Sequence, residues 1–93
     1  MSALTDTSIA ARADNKVAAD LGEQTVIMDI ESGYYFQLNQ SGAAIWGQLE
    51  TPMALAEICA RLKARFEVDA QTCRAEVGEF LELMRDKGLV TIR

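Results

Sequence analysis

The sequence predicts an α+β domain in which a three-stranded antiparallel sheet is followed by three helices. Three observations carry that prediction. Residues 25–38 alternate as two strands do around a glycine turn, and residues 42–87 hold three stretches whose apolar residues recur at helical spacing. A chain of 93 residues has room for one core and no second domain.

Residues 1–7 are rich in Ser, Thr, Asp and Ala without periodicity and are expected to form a disordered end, leaving 8–93 as the single domain. Ser8 to Ala13 reads as a first strand anchored by Ile9, and Val17 to Leu21 as a second extended piece. From Thr25 to Ile30, β-branched residues favour a strand with Val26, Met28 and Ile30 on its buried face and Thr25, Ile27 and Asp29 on the other. Glu31-Ser32-Gly33 supplies a turn, since Gly33 takes a positive φ without steric cost. The returning strand then turns Tyr34, Phe36 and Leu38 to the core and Tyr35 and Gln37 to the wetter face.

Ser41 is the expected N-cap of a first helix over about 42–50, with Ile45, Trp46 and Leu49 on its apolar side and Trp46 as a core plug. Thr51-Pro52 is expected to restart a helix, because Pro at the first helical position loses no needed hydrogen bond. Leu55, Ile58, Cys59, Leu62 and Phe66 form its stripe. Asp69 caps the third helix, whose stripe is Cys73, Val77, Phe80, Leu81 and Met84 and which Gly88 stops. Leu89 to Ile92 reads as an extended tail returning to the core.

Composition narrows function by exclusion. Nine Lys and Arg against fourteen Asp and Glu leave a formal charge of −5, with the bases dispersed, which argues against nucleic acid as the main partner. No window approaches the roughly 18 apolar residues of a membrane span, and the first 13 residues lack a basic start before an apolar run, so the expected setting is the cytoplasm without a membrane partner. There is no histidine to assist Cys59 or Cys73, which read as buried structural thiols rather than nucleophiles or metal ligands. Glu76, Glu79, Glu82 and Asp86 read as the wet face of the third helix rather than as acid–base or metal groups. No catalytic residue, cofactor or metal is expected.

The run Gly33-Tyr34-Tyr35-Phe36-Gln37-Leu38-Asn39, the Gly42-Ala43-Ala44-Ile45-Trp46 helix, Ala56-Glu57-Ile58, and the closing Leu81-Glu82-Leu83-Met84-Arg85-Asp86-Lys87-Gly88-Leu89-Val90 together resemble the PqqD-like family over about residues 9–92. One departure is Ala54, which stands where the family would have a hydroxyl cap, so the second helix is expected from Thr51. The resemblance implies a winged helix-turn-helix-like fold that serves as the recognition element of pathways making ribosomal, post-translationally modified peptides. Such proteins are non-enzymatic. They bind the leader region of a precursor peptide by strand addition and present it to a modifying enzyme, such as a radical SAM enzyme or a leader peptidase with a cyclase.

Carried onto this chain, the resemblance makes Tyr34, Tyr35, Phe36, Gln37 and Leu38 the receiving edge, and Arg74, Val77, Gly78, Leu81 and Arg85 the facing helix. Each also has an ordinary reading. Tyr34, Phe36 and Leu38 suit the core, Tyr35 suits edge cover, and Arg74 and Arg85 suit solvated charge. Gly78 suits either close peptide approach or a tight helix contact. Two other functions share the scaffold. A winged-helix DNA-binding regulator would need a basic recognition helix, whereas the third helix carries four acids, Glu76, Glu79, Glu82 and Asp86. A structural adaptor would differ from a leader binder only in which peptide joins the edge. Monomer and homodimer are both open, since an exposed edge also pairs with a second copy.

Overall fold

The computed structural model describes residues 4–22 and 24–93. In chain order the elements are β1 (Ile9–Arg12), β2 (Lys16–Leu21), β3 (Gln24–Asp29), β4 (Tyr35–Leu38), α1 (Gln40–Gln48), β5 (Met53–Ala54), α2 (Leu55–Arg65), α3 (Ala70–Asp86) and β6 (Val90–Ile92). The strands form two antiparallel sheets, ordered β2-β3-β4 and β5-β1-β6. The first is the expected three-stranded sheet. The second gathers the N-terminal strand, the C-terminal tail and a two-residue strand that helical periodicity hid. A core shared by both sheets and all three helices includes Ala10, Ile27, Trp46, Leu55, Ile58 and Leu81.

Several local expectations are corrected. In β3 the buried residues are Thr25 and Ile27, while Val26 and Met28 are half-buried and Ile30 is exposed, so the two faces are exchanged. The alternation in 25–30 carries apolar residues at both parities, and packing against α1 selects Ile27. In β1 the buried residue is Ala10, not Ile9, because Ala10 is the one turned toward the core. Asn39, not Ser41, caps α1: its side-chain oxygen accepts from the Gly42 amide at 2.9 Å, so the helix starts at Gln40. Trp46 is the expected plug, and its carbonyl accepts from the Arg12 guanidinium at 2.7 Å while that guanidinium stacks 4.7 Å from its ring.

The helix expected from Thr51 begins at Leu55 instead, because Met53 and Ala54 pair with Ala10 and Ile9. Ala54 supplies no side-chain cap. The carbonyls of Ser8 and Asp6 take its place, accepting from the Leu55 and Ala56 amides at 2.9 and 3.1 Å. The N-terminal segment is therefore engaged from Leu4, which is buried; of the end expected to be disordered, residues 1–3 lie outside the described residues.

α3 matches its signals closely. Asp69 accepts from the Thr72 amide at 3.0 Å at its start. At its end, Gly88 lies at φ 76°, its amide bonds Arg85, and the Leu89 amide bonds the Met84 carbonyl. That is a Schellman closure, and Leu89 and Met84, both buried, supply its apolar contact. The stop aims β6 back along β1, with Ala10 opposite Ile92.

Candidate functional site

The site follows from which backbone groups of β4 are left over. β3 and β4 pair with Thr25 opposite Leu38, Val26 opposite Gln37, Ile27 opposite Phe36 and Met28 opposite Tyr35. One position further on, the Asp29 amide donates to the Tyr34 carbonyl at 2.9 Å, so Asp29 and Tyr34 are a hydrogen-bonded pair. Bonded and non-bonded pairs alternate along an antiparallel ladder. Phe36 and Leu38 therefore turn their N–H and C=O groups to β3, and Tyr35 and Gln37 turn theirs to the open edge. β4 ends its sheet, so among the described residues these two donors and two acceptors have no strand beside them.

α3 runs alongside this edge. The Lys87 ammonium sits 5.6 Å from the Phe36 ring, and the Phe80 ring lies close enough to Gly42 that a Cβ there would come within 2.9 Å of it. That same imagined Cβ is 3.5 Å from Leu38, so Phe80 stands by Leu38 and Lys87 by Phe36. α3 and β4 thus run in opposite directions, and at 3.6 residues per turn the flank facing β4 is Glu76, Phe80, Leu83 and Lys87. Leu83 is half-exposed and Phe80 half-buried. The groove has an apolar floor of Phe36, Phe80 and Leu83, with a carboxylate at one end and an ammonium at the other. Beyond Leu38, between α1, the end of α2 and the start of α3, an apolar cleft of about 340 Å³ is lined by Ile45, Leu62, Phe66, Val68 and Val77, with Glu76 at its edge.

Of the residues expected at the site, Tyr35, Phe36, Gln37 and Leu38 form β4, and Tyr34 lies just before it, exposed rather than turned to the core. The helix residues are placed differently. Val77 and Leu81 are in the core, and Gly78 is buried. Arg74 donates to Asp6 at 2.7 Å, and Arg85 lies 3.9 Å from Glu82. Arg74, Gly78 and Arg85 lie about 120° or more around the helix from Phe80, and Arg74 meets the N-terminal segment at Asp6. The flank facing β4, 76/80/83/87, has the same i, i+4, i+7, i+11 spacing two positions out of step. Leu83, an apolar residue off the Cys73–Met84 stripe, was its signal in the sequence.

Among the described residues no group of His, Cys, Asp and Glu is placed to hold a metal. Burial, with Cys73 beside it, pushes the Cys59 thiol up to about 11, the wrong direction for a nucleophile. Among the described residues no helix is long and apolar enough to cross a membrane.

These features define a small α+β, winged helix-turn-helix-like domain with one strand edge open beside an apolar helix flank. The sequence profile of the family described as coenzyme PQQ synthesis protein D (PqqD) matches residues 24–90, and the chain belongs to that family. Among solved structures it is similar to TbiB1 in complex with the TbiA(beta) leader peptide, at 29% identity and TM-score 0.80 over 86% of this chain and 93% of that one. It is also similar in fold to lasso peptide synthetase B1 complexed with the leader peptide, at 21% identity and TM-score 0.78 over 88% and 96% of the two chains. No curated protein matches the chain.

Proposed function

We infer that this protein is a leader-peptide-binding accessory protein: it captures a ribosomally made precursor by strand addition at β4 and presents it to a modifying enzyme. The observation that carries the reading is the outward backbone of Tyr35 and Gln37, two donors and two acceptors at a sheet end beside an apolar groove. An extended leader pairs with those groups and lays alternate side chains on Phe36, Phe80 and Leu83. Backbone pairing supplies affinity, and the groove selects apolar side chains. Lys87 favours an acidic leader residue at the Phe36 end and Glu76 a basic one at the Leu38 end. The similarity to TbiB1, solved with a leader peptide, supports this reading.

The role requires no catalytic residue, and precursor synthesis on ribosomes places it in the cytoplasm. Arg74, Val77, Gly78, Leu81 and Arg85, the helix residues first expected to meet the leader, act in this reading through the fold: Val77 and Leu81 pack in the core, and Arg74 ties the N-terminal segment to α3. The test is a titration of ¹⁵N-labelled protein with the leader of the precursor encoded beside it. Amide shifts concentrated on 35–38 and 80–87 are expected, with Leu83→Glu weakening binding at least tenfold. Shifts confined to Arg74 and Gly78 with 35–38 unmoved, or no shift at millimolar leader, would overturn the reading.

A further inference from the structure

β2 is the far edge of the sheet β2-β3-β4, and the direction of its backbone groups is fixed at its start. The Ile30 amide donates to the Asn15 carbonyl at 3.1 Å, so Asn15 turns its backbone groups to the β3 side. Bonded and non-bonded positions alternate along the ladder, so Val17, Ala19 and Leu21 also bond β3, while Lys16, Ala18 and Asp20 turn their N–H and C=O groups outward. Among the described residues no strand lies beside them. Every residue of β2 after Lys16 is exposed, and Val17 and Leu21 stand 49% and 63% open. Natural sheets blunt such an edge with a central charge, a proline or a bulge. β2 carries none of these between its ends: Val17-Ala18-Ala19 is uncharged, its register with β3 is continuous, and the positive-φ residues, Asn15 and Gly22, lie outside the strand.

The strand is also its own complement. Two copies of β2 set antiparallel about Ala18 bring Lys16 opposite the partner's Asp20, Val17 opposite the partner's Ala19, and Ala18 opposite the partner's Ala18. The outward positions then meet one another in three hydrogen-bonded pairs, each exchanging two backbone bonds. Backbone direction allows other registers only in steps of two residues. One step sets Asp20 against the partner's Asp14 and Lys16 against the partner's Ala18. The other sets Asp20 against the partner's Ala18 and Lys16 against the partner's Gly22, where φ is 73°. The register centred on Ala18 is the one that matches both charges. Lys16 and Asp20 lie on the same face of β2: the Lys16 ammonium is 3.3 Å from Asp29, and Asp20 accepts from the Thr25 hydroxyl at 2.9 Å through one oxygen, Oδ1.

We propose that β2 is a self-association edge, at which two copies of the chain join antiparallel about Ala18 into one six-stranded sheet. A two-fold axis closes the assembly at two chains. The occupant is a second copy because the charge order from Lys16 to Asp20, read against itself, pairs unlike with unlike at both ends. The −5 charge of each chain opposes association at long range, but at physiological salt that repulsion is screened beyond about 8 Å, whereas the paired strands are in contact. The dimer leaves both β4 edges free, at opposite ends of the common sheet.

The experiment is sedimentation equilibrium of the full chain, without leader, over about 10 μM to 1 mM, the range in which small interfaces associate. Wild type is expected to rise from the mass of the 10.2 kDa chain toward twice that mass and no further. Ala18→Pro removes an outward amide and spares the ladder to β3, as edge positions allow, so it should fold as wild type does and associate at least tenfold more weakly. Lys16→Glu and Asp20→Lys each set like charges opposite one another, and each alone should also associate at least tenfold more weakly. Mixed in equal amounts, these two variants match at both ends again and should associate at least tenfold more tightly than either alone, which a merely unfolded variant could not do. A wild type that stays monomeric at about 1 mM, a dimer that Ala18→Pro leaves intact, growth beyond two chains, or a mixture no tighter than its components would each overturn the proposal. Adding the leader peptide should leave the association within twofold, and a leader that displaces the second copy would assign β2 to the leader instead. Self-association is read without leader, so its failure and a failure of leader capture are separate results.

Discussion

Proline scanning of adjacent β4 residues separates the two sides of the strand, because proline deletes one backbone N–H wherever it is placed. At Gln37 the deleted amide points to the open edge, and edge positions of that kind tolerate proline. The ladder to β3 is untouched, so the cost is backbone fit and the exposed Gln37–Gln24 contact, about 1 kcal/mol or less. At Phe36 the deleted amide is the one facing Ile27. That substitution loses a ladder bond, strands a buried carbonyl at about 1–3 kcal/mol, and removes a half-buried ring, together about 4 kcal/mol. With a shift of about 4–8 °C per kcal/mol for a domain of this size, Phe36→Pro should melt about 15–30 °C below wild type and Gln37→Pro within about 8 °C. Leader affinity should show what stability does not. Gln37→Pro removes a donor from the receiving edge and sets a ring against the incoming strand, about 2 kcal/mol or thirtyfold in Kd. Gln37→Ala, which keeps the amide, should bind within about threefold of wild type, since an exposed side-chain contact contributes little. Melting followed by circular dichroism and leader binding by calorimetry read both effects. Equal destabilisation by the two prolines would refute the assigned parity, and a Gln37→Pro variant with wild-type affinity would refute pairing at this edge.

Three further outcomes follow from particular contacts. Gly42→Ala places a methyl 2.9 Å from the edge of the Phe80 ring, and a ring that gives way toward β4 enters the groove. Helix propensity offsets the strain, so the melting point should change little while leader affinity falls several-fold; unchanged affinity would remove Phe80 from the groove. With its thiol pushed up to about 11, Cys59 should react with iodoacetamide at pH 8 about a hundredfold more slowly than an ordinary thiol, and equal rates would contradict its burial. Hydrogen bonds from the Thr72 amide and hydroxyl hold the Asp69 carboxyl below its usual range, so its contribution is present above the unfolded value of about 3.9 and is lost as pH falls through the lower folded one. Asp69→Ala should therefore melt below wild type at pH 7, with the gap closing toward pH 3. A gap independent of pH would assign the loss to helix propensity instead.

Much of this fold was legible because its local signals agree with its tertiary needs. Asp69 and Gly88 bound α3, Gly33 turns the β3–β4 hairpin, and the apolar stripes of α2 and α3 point inward apart from Phe66, which lies exposed just past the end of α2. The missed features all depend on partners distant in sequence. Met53 and Ala54 form a strand only because β1 lies beside them, and a helix start without a side-chain cap is completed by carbonyls some forty-eight residues earlier. Val26 and Ile27 are equally apolar, so alternation alone does not say which faces α1. At the site, the β4 edge was readable from the Tyr34–Leu38 alternation. The flank of α3 proposed to face it was not: the expected line 74/78/81/85, which runs through the buried Gly78 and Leu81, and the line 76/80/83/87 share one spacing, and the direction in which α3 crosses the sheet decides between them.

Amide hydrogen exchange, resolved residue by residue with and without the leader peptide, bears most directly on strand addition at β4. In the free protein the Phe36 and Leu38 amides should be protected by β3 while those of Tyr35 and Gln37 exchange rapidly. Leader binding should slow Tyr35 and Gln37 together, leaving the outward amides of Lys16, Ala18 and Asp20 on the opposite edge unchanged. A leader that binds without slowing Tyr35 and Gln37, or that protects the β2 edge instead, would contradict capture at β4.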